Sequence, residues 1–329
     1  MRRPSSHLTT ALLASLSTAI VVVAAMLGAG VTASASGRSE AAPNRGAQEL
    51  GDPDYGVCRG PDPRCYHGWG NFDASKGYRV LLYTRTAGPR HADLGPALGS
   101  GLNPALTDAN VVQNAMIRLG KENGFAVDWT EDPAQLATPS QLFRYNAVIF
   151  FSTSRDNLDL PAQTSLRQYM RGGGGFVGIH NAFGTEYNWP YYEGLLGGAN
   201  FYDHGPEQAG TVRTLDRTDT STKDLPATWN FTDEWYNLVP FPSNVRFLAT
   251  VEERSLVKGV TGSMGHPGHG TFHPVAWCQY YDGGRSWVTT LGHDARDFTD
   301  DSAFPGAAEF QKLIVGGIQS AMGMKPFCG

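Results

Sequence analysis

The sequence predicts an α/β protein, with a mostly parallel sheet covered by helices on both faces. Three observations carry this. Between residues 78 and 180, apolar runs of strand length alternate with segments of helical spacing. Two later apolar runs flank the tetrapeptide "DGGR" (282–285), a strong hairpin signal. The 329 residues hold 40 Gly and 20 Pro and are 11% aromatic, which fits structured loops around a rigid sheet better than a helical bundle.

In chain order, "YRVLLYT" (78–84) reads as a buried strand. Across 107–124, Val111, Val112, Ala115, Met116 and Leu119 recur at helical spacing, with Thr107 or Asp108 as cap and Gly124 as stop. A strand over 125–132, a short helix near "SQLFRY" and a strand over 146–152 follow. The helix "PAQTSLRQYMRGG" then leads into the strand "GFVGIH" (175–180). From Asn181 to about residue 244 the pattern is irregular, with many aromatics and turns. Strands return at 245–252, 275–283 and 285–292, and a helix over 307–323 closes the domain. No internal repeat is visible.

The folded domain is expected from 77 to 329, preceded over 36–76 by a Gly, Pro, Ser, Asp and Arg-rich linker and disulfide-tied extension. Residues 1–35 start basic, run apolar and finish on Ala33-Ser34-Ala35, the pattern of a cleaved secretory signal and so of an extracellular protein. The apolar run is long for a signal, which leaves an uncleaved anchor as the alternative; after cleavage no stable membrane partner is expected. Cleavage removes Arg2 and Arg3 and no acid, taking the formal charge from −5 to −7. With no basic run and no zinc-finger spacing, nucleic acid is excluded as a partner. Four cysteines suit an oxidising compartment and allow three pairings; proximity favours Cys58 with Cys65 and Cys278 with Cys328 over a zinc site.

The glycine run 172–175 precedes its strand, so it is not the strand-to-helix cradle of a dinucleotide, and no nucleotide cofactor is expected. Gly172 and Gly173 are expected to end the helix, and Gly174 and Gly175 to allow a tight turn. His180 then falls at the end of a strand, where open α/β sheets bind ligands. His91 and His293 also follow predicted strands, so parallel strands would bring the three imidazoles to one edge. His204 lies between Asp203 and Glu207. "DEWYN" sets Asp233 and Glu234 beside Trp235 and Tyr236, acids next to flat surfaces that suit sugar rings, though core packing explains Trp235 equally well. "GHPGHGTFHP" carries His266, His269 and His273, with Gly and Pro forbidding a helix, and reads as a metal-binding lid or a solvated turn. No G-x-S-x-G elbow is present, and metal-assisted or acid–base chemistry is the better class.

"YRVLLYTRTAGPRH", "GGGGFVGIHNAFGTEYNWPYYEGLLGG", "DEWYN", "HPVAWCQYYDGGRSWVTTLGH" and the closing "GGI" together resemble the ThuA-like (trehalose utilisation) family over about 77–324. The resemblance implies a flavodoxin-like, class I glutamine amidotransferase-like three-layer sandwich and a role in carbohydrate metabolism. Amidotransferases place a cysteine nucleophile where this chain has His180, which argues against glutamine hydrolysis. The family's histidines carry over onto His91, His180, His204, His273 and His293, and its acidic pair onto Asp233 and Glu234.

The expectation is thus a carbohydrate-active isomerase, lyase or hydrolase acting on a saccharide or keto-sugar. His180, Glu234, Glu186 and Asp233 are the catalytic candidates. Trp189, Trp235, Tyr236, Asn181 and His273 are candidates for holding the sugar. His91, His180, His204 and His293 are candidates for a divalent metal, zinc or copper. The rival readings are a non-catalytic saccharide-binding module and a redox-active copper site.

Overall fold

The computed structural model describes residues 53–73, 75–299 and 304–329. The leader of 1–35 and the first part of the expected linker lie outside them. Twelve strands follow in chain order: β1 (Arg59–Gly60), β2 (Tyr78–Tyr83), β3 (Phe125–Thr130), β4 (Ala147–Phe151), β5 (Gly175–Ile179), β6 (Phe201–His204), β7 (Gln208–Thr214), β8 (Thr228–Asp233), β9 (Tyr236–Leu238), β10 (Arg246–Glu252), β11 (His273–Tyr281) and β12 (Gly284–Thr289). The helices are α1 (Val111–Glu122), α2 (Pro139–Leu142), α3 (Leu160–Arg171), α4 (Pro190–Leu195) and α5 (Ala307–Ala321).

The expected parallel sheet is β3-β2-β4-β5-β12. Its strands alternate between two cores, as a sheet covered on both faces must. Val80, Leu82, Ile149, Phe151, Val177 and Ile179 pack with Val112, Met116 and Leu119 of α1 and Phe310, Leu313 and Ile314 of α5. Leu81, Tyr83, Val148, Phe150 and Phe176 pack on the other face with Leu166, Tyr169 and Met170 of α3 and Tyr192 of α4. α1 begins at Val111 behind Asn110, later than the Thr107 or Asp108 expected. Asn110 Oδ1 accepts from the Thr107 amide and hydroxyl, so Thr107 is tied into the preceding turn. α3 opens as its sequence requires, with Asp159 accepting from the Ala162 amide at 2.9 Å and Pro161 in the first turn.

The segment read as irregular contains four strands. β11, β10, β7 and β8 extend the sheet beyond β12, all antiparallel, while β6 and β9 form a separate antiparallel pair. In "QAGTVRT" alternate residues are buried, but Val212 is the lone large aliphatic, so the strand signal is weak. The antiparallel run has a geometric consequence: counting senses from β12, strands β10 and β8 point the same way as β5, and β11 begins where they end. The carboxyl edge therefore collects the residues after β2, β5, β12, β8 and β10, together with the first residue of β11.

The hairpin forms at "DGGR", with positive φ at Asp282 (47°) and Gly283 (93°), the backbone of a type I′ turn. Gly174 and Gly175 do not make the expected turn. A Cβ on Gly174 would stand 2.3 Å from the Tyr169 ring and one on Gly175 2.4 Å from the Ala321 carbonyl oxygen, so close packing demands glycine. Disulfides join Cys58 to Cys65 and Cys278 to Cys328. The extension is fastened to the domain around Arg59: β1 pairs with the end of β11, and Arg59 donates to Gln279 and to the Pro53, Gly197 and Ser243 carbonyls. No helix among the described residues is long and apolar enough to cross a membrane.

Candidate functional site

β5 ends at Ile179, and His180 turns the chain with φ of 52°. That left-handed backbone is uncommon for a residue with a Cβ and costs on the order of 1–3 kcal/mol. It sets a buried imidazole at the carboxyl edge. Its Nδ1 lies 2.9 Å from the Thr290 carbonyl, which only accepts, so Nδ1 carries the hydrogen and Nε2 presents a lone pair. Two groups face that lone pair: the Tyr236 hydroxyl, donating at 2.9 Å, and His91 Nε2 at 3.1 Å.

His91 comes from the loop after β2, and His293 from the turn after β12; their rings stand edge-on, with centroids 5.3 Å apart. Glu234, directly after β8, places Oε2 3.3 Å from His293 Nδ1 and 4.0 Å from His180 Nε2, with Oε1 3.5 Å from His204 Nε2. One ligand atom each from His91, His180, Glu234 and His293 lies within 4.8 Å of the others. Three of the four predicted metal histidines are thus joined, with Glu234 as the fourth member and His204 on the far side of Glu234.

Burial, then the neighbouring His293 and His204, lowers the pKa of His91 to about 4. Burial, with His91 and His293 next, holds His180 well below the usual imidazole range. Both rings are neutral at pH 7, the form that ligates a metal. The protons, however, do not balance. If His91 donates from Nε2 to His180, its buried Nδ1 is an acceptor with no hydrogen-bond partner among the described residues; if it is protonated on Nδ1, two lone pairs abut at 3.1 Å. His293 Nδ1 is likewise buried without a hydrogen-bond partner among the described residues. A cation between His91 Nε2, His180 Nε2 and His293 Nδ1 would relieve the abutting lone pairs and give His293 Nδ1 a partner, with His91 Nδ1 left as the donor. The 3.1 and 3.3 Å separations are near the edge of about 3.4 Å expected for a tetrahedron of nitrogen and oxygen ligands on zinc, whereas His180 Nε2 and Glu234 Oε2 are 4.0 Å apart and the set spans up to 4.8 Å. The donors are of the kind that holds a divalent metal, and the set would have to draw in to do so.

The other predicted site residues have different places. Asp233 is buried 3.9 Å from His180 Nδ1, which is already bonded to Thr290. It accepts from the Glu234 and Gly292 amides, joining the end of β8 to the turn that carries His293. Burial, with Asp297 nearby, raises its pKa well above the usual carboxylate range. Glu186 is no free base: it accepts from the Asn157 and Leu158 amides at 2.8 Å and from Gln163 at 2.7 Å, anchoring the start of α3. Trp235 is no sugar platform, because it is 3% exposed and its Nε1 donates to the Gln208 carbonyl inside the core. Trp189 stacks on Tyr191 and Tyr192 at the start of α4. Asn181 is buried with its side chain against Gly184 of its own turn. His273 is also removed from the sugar-binding set, since it is buried and both its nitrogens are bonded within the protein, to Glu253 and the Tyr236 carbonyl. Tyr236 is buried as well, with its hydroxyl on His180 Nε2.

A cavity of about 380 Å³ opens beside the cluster, lined by Pro89, Arg90, His91, Ala92, Asp93, His293, Asp294 and Ala295. Asp93, unremarked in the sequence, has its pKa pushed up to about 7 by burial, against the pull of the Leu94 amide. Its signal was position alone, two residues past His91. Arg90 is spent on Glu131 and on the Gly95, Leu94 and Pro96 carbonyls.

The fold and the edge site define a class: an α/β protein whose mostly parallel sheet gathers three histidines and a glutamate at its carboxyl edge. The family model described as ThuA, trehalose utilisation, matches residues 79–321, and the chain belongs to that family. Among solved structures, a ThuA-like protein from Bacteroides uniformis is 22% identical, with a TM-score of 0.57 over 77% of this chain and 94% of that one. A ThuA-like protein from Parabacteroides merdae is 18% identical, with a TM-score of 0.56 over 76% and 91%. At these identities the likeness shows the fold. A comparison with curated proteins found no match.

Proposed function

We propose that this is a secreted, carbohydrate-active enzyme that converts a neutral saccharide or keto-sugar at the His91, His180, His293 and Glu234 centre. The observation that carries the reading is the convergence of these four ligand atoms at the carboxyl edge, beside an open cavity. The family description supports the substrate class, and the leader pattern and two disulfides support export. Arg90 is committed to the protein, which favours an uncharged ligand over a phosphorylated one. The burial of Trp235 weighs against the plain binding-module reading.

His91, His180 and His293 would hold the metal, zinc or copper, with Glu234 beside it as the base. When bound, a divalent cation polarises a keto or hydroxyl oxygen of the sugar. The chain's own residues supply the rest. Glu234 accepts a proton from the carbon or hydroxyl beside that oxygen, with His204 against its other carboxylate oxygen. The Tyr236 hydroxyl is the donor nearest His180.

The test is metal content of the tag-free protein and its His180→Ala variant, followed by a saccharide and keto-sugar screen with the metal found. Near-stoichiometric metal, lost together with activity in the variant, is the expected result. Undiminished metal and activity in a folded His180→Ala protein would overturn the proposal.

A further inference from the structure

The loop 261–272 and His273 together hold three histidines that the site does not use. Among the described residues the gathered ligand set is the one at His180, and these histidines lie outside it. They hold the β6–β9 pair. β9 pairs with β6 on one side only. On its other edge the Tyr236 carbonyl accepts from His273 Nε2 at 2.9 Å, and the Leu238 amide donates to His269 Nε2 at 3.0 Å. A carbonyl and an amide two residues apart are what a neighbouring strand would satisfy; here two side chains do it.

The two imidazoles are in opposite states. His269 accepts from an amide, and burial, with His273 and His266 next, lowers its pKa to about 4 and keeps it neutral. His273 faces acceptors at both ends, the Tyr236 carbonyl and Glu253 Oε1 at 2.8 Å, so both its nitrogens carry hydrogen. Burial pushes the Glu253 carboxyl up, but bonds from His273 and from the His269 and Gly270 amides outweigh it and hold the group low. Asp203 fastens the other end of the loop by accepting from the Met264 and His266 amides. The far side of this clip is Tyr236, whose hydroxyl rests on His180 Nε2.

We propose that Glu253 and His273 are positioning residues for the His180 centre: a carboxylate–imidazolium pair, buried at His273 and partly exposed at Glu253, grips the main chain of Tyr236 and so sets its hydroxyl on His180 Nε2. The line is mechanical and not a proton wire, because it passes through the covalent frame of Tyr236. It also gives Tyr236 control of metal entry. The hydroxyl occupies the lone pair that His180 would offer a cation, so a firmly held Tyr236 competes with the metal and, once displaced, is a donor beside the bound sugar. This last step rests on the function proposed above; the positioning does not.

The test is long-range proton–nitrogen NMR of the imidazoles in the metal-free protein, with Glu253→Gln, His273→Gln and Tyr236→Phe variants, each checked by melting temperature. The expected spectrum shows both nitrogens of His273 protonated and His180 protonated on Nδ1 alone. Tyr236→Phe shifts the His180 Nε2 resonance, and Glu253→Gln shifts it the same way but has no effect in the Tyr236→Phe background. Zn²⁺ titration should then find binding about 3–10-fold tighter in Tyr236→Phe, the worth of one competing hydrogen bond. A singly protonated His273, or a His180 signal indifferent to Glu253→Gln, would overturn the positioning. Absence of Zn²⁺ binding in every variant would overturn the metal reading and leave the NMR result to stand by itself.

Discussion

His91 Nε2 and His180 Nε2 face each other at 3.1 Å between two neutral rings, one of them wholly buried. Such an arrangement is poorly satisfied without a cation. At a hundredfold excess over Kd, a bound metal adds about 2.7 kcal/mol of stability. For a domain of this size the Tm should rise roughly 5–10 °C with Zn²⁺ and fall back with chelator. His180→Ala should remove the response; a Tm unmoved by any divalent ion in the wild type would contradict it.

The left-handed backbone at His180 predicts an inverted order of substitutions. Glycine adopts φ of 52° without penalty, and alanine does not. His180→Gly should therefore be more stable than His180→Ala by about 1 kcal/mol, the reverse of the usual ranking. Urea melts of the two metal-free variants measure it.

Trp235 is in the core, so its loss should be a matter of folding. Trp235→Ala is expected to cost about 3–5 kcal/mol. A fully stable Trp235→Ala protein that has lost saccharide binding would return this residue to the sugar site.

Acid should loosen the clip on β9 in two stages. His269 has a folded pKa of about 4, below the 6.5 of a free imidazole, so the unfolded chain takes up its proton first and stability is lost as pH falls from 6.5 towards 4. Glu253 is held low in the fold, so its contribution is present above the ordinary glutamate range and disappears as pH falls through its folded value. Replacing His269 by Asn should flatten the upper stage by up to about 1.4 kcal/mol per pH unit, one proton's worth, in stability measured against pH. An unchanged slope would show that His269 is not held neutral.

Much of the site follows from strand ends. His91, His180 and His293 each come soon after an apolar run, and parallel strands finish on one edge, so their meeting was legible. Glu234 was visible as an acid beside aromatics, but not that β8 delivers it to the same edge, because β7 and β8 alternate with few large aliphatics. The tryptophans misled, since apolar surface beside acids reads the same whether it faces sugar or core. The link from Glu253 to His273 lay beyond the sequence altogether. It needs β10 and β11 to be antiparallel neighbours, which places the end of one against the start of the other across a 20-residue gap.

The seam between β1 and β11 fixes where the described chain enters the sheet. Arg59 and Gly60 pair with Tyr281 and Tyr280, beside the start of β12, whereas His293 follows its end. The six residues of β12 separate the two by about 20 Å. Entry and mouth thus lie at opposite edges of the sheet, so a label or cross-link placed at Arg59 would leave the opening between His91 and His293 uncovered.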